Sequence, residues 1–202
     1  MIYISKVTRA SVIDFAAEEL KKYLSMMMPD GKRYSIKYDP TADTGYRLGL
    51  LSDFGIDAPE VEVAELDDLL YIDCDERGGI IAGDNPRSVL LAVYEYLRQN
   101  GCRWLMPGVD GEYIPEVKNL ASVSYRHKPS MRYRGQVNES ATSQRAMLET
   151  IDFGPKVGQN CYMIQFFVPR DYYNQYYGHN NNPLRKPEPL TETGVLQFRR
   201  MC

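Results

Sequence analysis

Residues 80–115 read IIAGDNPRSVLLAVYEYLRQNGCRWLMPGVDGEYIP. Asn85 is an N-cap residue type, and Pro86 suits the first helical position, whose N–H has no intrahelical partner. Val89, Leu90, Val93 and Leu97 then recur at helical spacing, and Gly101 stands just past the expected end. A helix bounded at both ends follows from these residues. Cys102 to Leu105 beyond it reads as a short strand, and Pro107 to Gly111 as a loop.

The residues before the helix read as a hairpin. Leu69 to Asp73 leads through Asp75-Glu76-Arg77-Gly78-Gly79 into Ile80 and Ile81, giving two adjacent antiparallel strands. Gly78-Gly79 and Gly83 match neither a GxGxxG nor a P-loop spacing, so they read as turn glycines rather than a phosphate cradle. Farther back, Tyr34 to Tyr38 and Tyr46 to Leu51 alternate like half-buried strands, and Ile2 to Ile4 opens the chain in the same way.

A first helix is expected over Asp14 to Met28, with Ser11 and Asp14 as a capping box. Ala16, Leu20, Tyr23, Leu24 and Met27 form its apolar stripe, while Glu18, Glu19, Lys21 and Lys22 face water. Met26-Met27-Met28 reads as core filler. Trp104 reads as a core anchor whose indole N–H meets a nearby carbonyl, and Arg87 and Arg103 as partners of acidic neighbours.

Around Tyr125 to Pro129 a basic, proline-containing linker marks a boundary, dividing residues 1–125 from residues 126–202. Met131 to Val137 reads as a strand, Ser143 to Val157 as a helix disturbed at its end by Gly154-Pro155, and Cys161 to Val168 as a strand buried on both faces. Strand, helix, strand in that order is a βαβ unit. The fold class expected is therefore α/β of the α+β kind. It is a mixed sheet with two helices on one face, followed by one or two βα units.

Composition sets limits on function. With 44% hydrophobic and 25% charged residues, the 202-residue chain can bury a core, and one domain plus a remnant fits domains of roughly 100–200 residues. A net charge of −3 excludes a nucleic-acid partner, which needs a strongly basic face. Arg126, Lys128, Arg132 and Arg134 do cluster, but on one side of a possible strand, as a solvated edge would. Cys74, Cys102, Cys161 and Cys202 lie far apart without a CxxC pair, so they read as isolated thiols, with no metal and no cofactor expected. No apolar run is long enough to span a membrane and no leader is visible, so no membrane partner and a cytoplasmic location are expected, or secretion if a leader has been removed.

The stretch 80–115 also resembles the N-terminal domain shared by alpha-glucuronidases, beta-N-acetylhexosaminidases and related bacterial glycoside hydrolases. The residues that carry the likeness are the strand ending in Gly83, the Asn85-x-Arg87 turn, Tyr94-Glu95 on the helix, and Gly101-Cys102-Arg103-Trp104 leading to Pro107-Gly108. Pro129 to Gly135 looks like the family's first barrel strand, and Val157 to Asn160 like the approach to its second. The resemblance implies an accessory domain followed by the start of a (β/α)8 barrel acting on an oligosaccharide or glycoside.

Glycoside hydrolysis uses two carboxyl groups facing one cleft. In the resembling families these acids come from later strands, so no catalytic residue is assigned within this chain. The substrate-binding edge implied is Arg134 on the first strand, Asn138 and Glu139 at its mouth, and Gln165 and Phe167 near the end of the second. For Arg134 an ion pair at the barrel floor stands beside the sugar-binding role. The Asp-x-x-Arg-His run of hexosaminidases and the His-Trp-Asp pattern of alpha-glucuronidases are both missing, so neither activity is implied. Asp171 to Pro189, rich in tyrosine and asparagine, reads either as a βα active-site loop or as a surface excursion, and His179 alone marks neither a metal nor a base. An unfinished barrel leaves strand edges that a second copy or a further portion would cover. A different reading is a stand-alone carbohydrate-binding or scaffolding module whose C-terminal third packs back onto its first part.

Overall fold

The computed structural model describes residues 1–31, 33–138 and 144–164. The helix at the centre of 80–115, α2, spans Pro86–Gln99. Its first turn is closed by Asn85, whose side chain accepts from the Ser88 N–H at 3.0 Å. Its last turn ends with the Gly101 N–H on the Arg98 carbonyl and the Cys102 N–H on the Leu97 carbonyl. This is the paired-bond ending that requires the φ of +102° found at Gly101.

The earlier helix, α1, spans Ser11–Met27. Ser11 is therefore not a capping box residue but the first helical residue: Ala10 is the N-cap and no side chain caps it. Ile13, Ala16, Leu20, Tyr23, Leu24 and Met27 form one buried stripe, and burying a leucine-sized side chain is worth roughly 1.5–3 kcal/mol. Glu19, expected in water, is buried and accepts from the Tyr94 hydroxyl at 2.8 Å. Met27 and Met28 fill the core, while Met26 is exposed.

Both helices cover one face of a six-stranded mixed sheet built from β1 (Ile2–Lys6), β2 (Tyr34–Tyr38), β3 (Tyr46–Leu50), β4 (Leu70–Asp75), β5 (Gly78–Gly83) and β8 (Val123–His127). The spatial order is β2-β1-β3-β5-β4-β8. The first four in that order are parallel neighbours, and β4 runs antiparallel to both β5 and β8. The hairpin is confirmed, with Asp75 opposite Gly78 across a two-residue turn. A short hairpin of β6 (Arg103–Trp104) and β7 (Glu112–Tyr113) follows α2. The sheet's other face is covered by the stretch after β3, where Leu51, Leu69 and Ala82 are buried with Phe54, Ile56 and Val61 packed on them.

One expectation fails here. Val123–His127, which overlaps the expected linker from Tyr125, is the edge strand β8: Val123 is buried and Tyr125 packs on the core. Proline at 129 and flanking basic residues hid the apolar alternation of Val123 and Tyr125.

After β8 come β9 (Gly135–Asn138), α3 (Gln144–Lys156) and β10 (Cys161–Ile164). The two strands pair in parallel as a separate two-stranded sheet, Gly135 opposite Cys161 and Val137 opposite Met163. The strand expected from Met131 starts only at Gly135, because residues 131–134 are held by side-chain bonds described below. Pro155 sits in the last turn of α3, which ends one residue later.

Candidate functional site

The polar centre of the molecule is Asp68, in the segment entering β4. Its side chain has no solvent exposure. Oδ1 accepts from Arg87 Nε and Ser88 Oγ, each at 2.9 Å, and Oδ2 accepts from Arg134 Nη2 and Asn160 Nδ2, each at 2.7 Å. Burial by itself would raise this carboxyl, but the bonds from Arg134 and Asn160, with the nearby Arg87 charge and Ser88, outweigh it and hold it below the usual aspartate range. A carboxylate with every acceptor position used and no exposure cannot reach a substrate. It is a clamp, joining α2 and β4 to the residues just ahead of β9 and β10.

Asp67, next to it, accepts from Arg132 Nε at 2.7 Å and from the N–H groups of Glu62 and Val63. The Arg132 bond and then these backbone bonds lower its carboxyl strongly. Lys128 lies 3.5 Å away, and Arg126 binds Glu60 through two nitrogens. The basic cluster of the C-terminal half is thus not a solvated edge but a row of partners for Glu60, Asp67 and Asp68. Arg87 pairs with acid as expected. Arg103 instead donates to the Arg98 and Cys102 carbonyls.

Arg134 precedes β9 and so lies at the N-terminal end of the strand, away from the mouth. Its Nε donates to the Gly158 carbonyl at 3.0 Å and its Nη1 to the Met131 carbonyl at 2.8 Å, while Nη2 serves Asp68. This geometry corresponds to the ion-pair alternative. Asn160 closes the arrangement, accepting from the Arg134 N–H and donating to Asp68 and the Arg132 carbonyl. Asn138 is the last residue of β9, at the opposite, C-terminal end. Glu139, Gln165 and Phe167 lie outside the described residues, as does the 171–189 stretch.

A second buried network fixes α3. Lys156 is 6% exposed, and its Nζ donates to Glu112 Oε1 at 2.9 Å and Asp152 Oδ2 at 2.6 Å. Burial acts to lower this ammonium, but the two carboxylates more than reverse it and leave it raised. Glu112 also accepts from the Tyr23 hydroxyl at 2.7 Å, which in turn lies 3.3 Å from Trp104 Nε1. The indole's acceptor is therefore a phenol oxygen, not the carbonyl expected. Tyr23 and Tyr94 meet Trp104 edge-to-face with centroids 5.2 and 5.4 Å away.

Sequence reasoning missed Asp67, Asp68, Asn160 and Lys156. The Asp67-Asp68 pair sits in a stretch that reads as an acidic turn, and Asp68's partners lie as far as 92 residues away. The one signal available was complementarity, three arginines at 126, 132 and 134 against an acidic run from 53 to 68.

Among the described residues, no group of three or more His, Cys, Asp or Glu could hold a metal ion, and no helix is long and apolar enough to cross a membrane. Cys74 and Cys102 are buried free thiols. A cleft of about 420 Å³, lined by Tyr3, Asp43, Thr44, Arg47, Asp75 and Arg77 among others, opens where β1 and β3 begin. It includes none of the expected site residues.

No family model matches the sequence. No curated protein matches it. Among solved structures the chain is similar to CpGH84D, a glycoside hydrolase family 84 protein, at 15% identity and a TM-score of 0.49, over 98% of this chain and 31% of that one. The chain thus spans less than a third of that structure's length.

Proposed function

We propose that the chain is the leading portion of a carbohydrate-active glycoside hydrolase, an accessory α/β domain that runs through β8 to His127 and, beyond it, the start of a (β/α)8 barrel. The observation that carries the reading is the parallel β9–α3–β10 unit, set apart from a completed six-stranded sheet. Parallel strands are normally covered on both faces, yet Val137 and Met163, opposite each other, are 50% and 57% exposed. Further strands of the same barrel would cover them. The residue pattern of 80–115 supplies the link to glycosidases.

Barrel enzymes act at the C-terminal ends of their strands. On this reading the substrate edge is formed by Asn138, Glu139, Gln165 and Phe167, and Arg134 holds the frame from the other end. The two carboxyl groups of the reaction come from later strands. The test is to read the coding frame past Cys202, produce the whole product, and assay it with a panel of aryl uronosides and N-acetylhexosaminides. Hydrolysis by the long product and none by residues 1–202 is expected. A frame that closes within a few codons, or a long product inert on every glycoside, would remove the proposal.

One observation favours a stand-alone module instead: α3 and the residues ahead of β9 and β10 are bound to the first part by buried charges. Gel filtration and thermal melting distinguish the two. A monomer with one cooperative transition supports the module, and association through open strand edges supports the barrel portion.

A further inference from the structure

Ser88 Oγ lies 2.9 Å from Asp68 Oδ1 and 2.7 Å from Asp84 Oδ1. A serine hydroxyl carries one hydrogen and donates to one acceptor at a time. With both acids ionised, the other contact would press lone pairs together where Ser88 and Asp68 have no solvent exposure. Two contacts therefore require two hydrogens, and the second belongs on a carboxyl. Asp68 has Arg87 and Arg134 on it, whereas Asp84 has no cation on it: besides Ser88, its Oδ1 receives the Leu69 N–H at 2.8 Å, its Oδ2 lies 3.3 Å from the Asn85 amide, and its own backbone N–H bonds it.

We propose that Asp84 carries the second hydrogen, donating it to Ser88 while Ser88 donates to Asp68, and that release of this proton to solvent as pH rises leaves two carboxylates facing one hydroxyl hydrogen, a repulsion that pushes Asp68 off the position from which it holds Arg134 and Asn160. The result is a pH-set latch between the sheet and the βαβ unit, independent of any saccharide chemistry. Burial raises the Asp84 carboxyl above its ordinary range and the Asp68 charge adds to this, while the Leu69 N–H, Ser88 and Asp84's own backbone N–H offset part of it.

The charged groups around it are few. From the segment before β4 come Asp68 and Asp67, from α2 Arg87, and from ahead of β9 Arg134, with Arg132 and Lys128 neutralising Asp67. The arginines and the lysine stay charged from acid to neutral pH. Asp67 and Asp68 are held below the ordinary aspartate range, so Asp84 is the member of the group whose charge changes above it. Because its folded-state proton affinity is raised, the stability it contributes is full below about pH 4 and is lost as pH rises through its own midpoint, with the unfolding constant climbing up to tenfold per pH unit.

The test is a titration of aspartate side-chain carboxyl carbons by NMR in the intact chain. Asp84 is expected to titrate above the ordinary value of about 3.9, with Asp68 below it. An Asp84 midpoint at or below about 3.9 would overturn the assignment. For the latch, the exchange protection of the Arg134 and Asn160 amides should fall with the Asp84 midpoint in the wild type and stay flat in Asp84→Asn. Protection that does not follow the Asp84 titration in the wild type refutes the latch, whether or not the variant folds.

Discussion

Replacing Asp68 by asparagine keeps the shape and removes the charge. Asp68 accepts four hydrogen bonds, two from arginines, with no exposure. An amide can accept at one end only, so its NH2 must face either Arg134 and Asn160, donor against donor at both, or Arg87 and Ser88, where the serine hydroxyl can turn to accept but Arg87 cannot. At least one bond to a charged partner is lost in either orientation, and two guanidinium groups lose their counter-ion. Hydrogen bonds to charged groups contribute about 1.5–3 kcal/mol each, and breaking a buried pair costs about 3–5 kcal/mol. A loss of about 4 kcal/mol is therefore expected, out of a domain stability of roughly 5–15 kcal/mol. Equilibrium urea unfolding measures it. The pH dependence supplies a second reading: Asp68's carboxyl is held below its unfolded value, so its contribution is present above about pH 4 and is lost as pH falls through the folded midpoint. The acid limb of the stability profile should be shallower in Asp68→Asn by one proton. A loss under about 1 kcal/mol with an unchanged acid limb would refute the reasoning.

Lys156→Met should cost about 3 kcal/mol by leaving Glu112 with only Tyr23, and adding Glu112→Gln should restore most of it; equal losses in single and double variants by urea unfolding would deny the coupling. Asn85→Ala should cost about 1–2 kcal/mol through the lost α2 cap, read as a lower melting midpoint. Gly83→Ala should cost more than about 3 kcal/mol, since a Cβ there would sit 2.4 Å from Ser88 Cβ and 2.7 Å from the Val89 nitrogen; α2 could not keep its approach to β5, and a well-packed, wild-type melting curve would contradict this.

Local signals carried the fold well where they were dense. Asn85, Pro86 and Gly101 bracketed α2, and the glycines after Arg77 placed the hairpin, because caps and turns are decided within a few residues. The strand, helix, strand order made the parallel pairing of β9 and β10 legible, but the apolar run at Cys161 misleads about burial: Cys161 and Tyr162 are half-buried and Met163 is exposed, not covered on both faces. What stayed hidden depends on partners far away. Val123 and Tyr125 become a strand only because β4 offers an open edge, and Ser11 is helical without the cap that its spacing with Asp14 implied. At the candidate site Arg134 stands out in the sequence, and the structure shows it paired with Asp68. Its partner Asp68 could not be found from its own neighbours, since an aspartate in an acidic turn reads the same whether it is solvated or fully enclosed.

The spacing of the donors around Asp68 sets a timetable during synthesis. Arg87 and Ser88 emerge 19 and 20 residues after it, but Arg134 and Asn160 follow only at 66 and 92 residues. At about 5–20 residues per second, the last donor leaves the ribosome roughly 5–20 s after the carboxylate. Through that interval the nascent sheet presents a half-coordinated anion to water, a ready-made anchor that the following segment meets as soon as it appears.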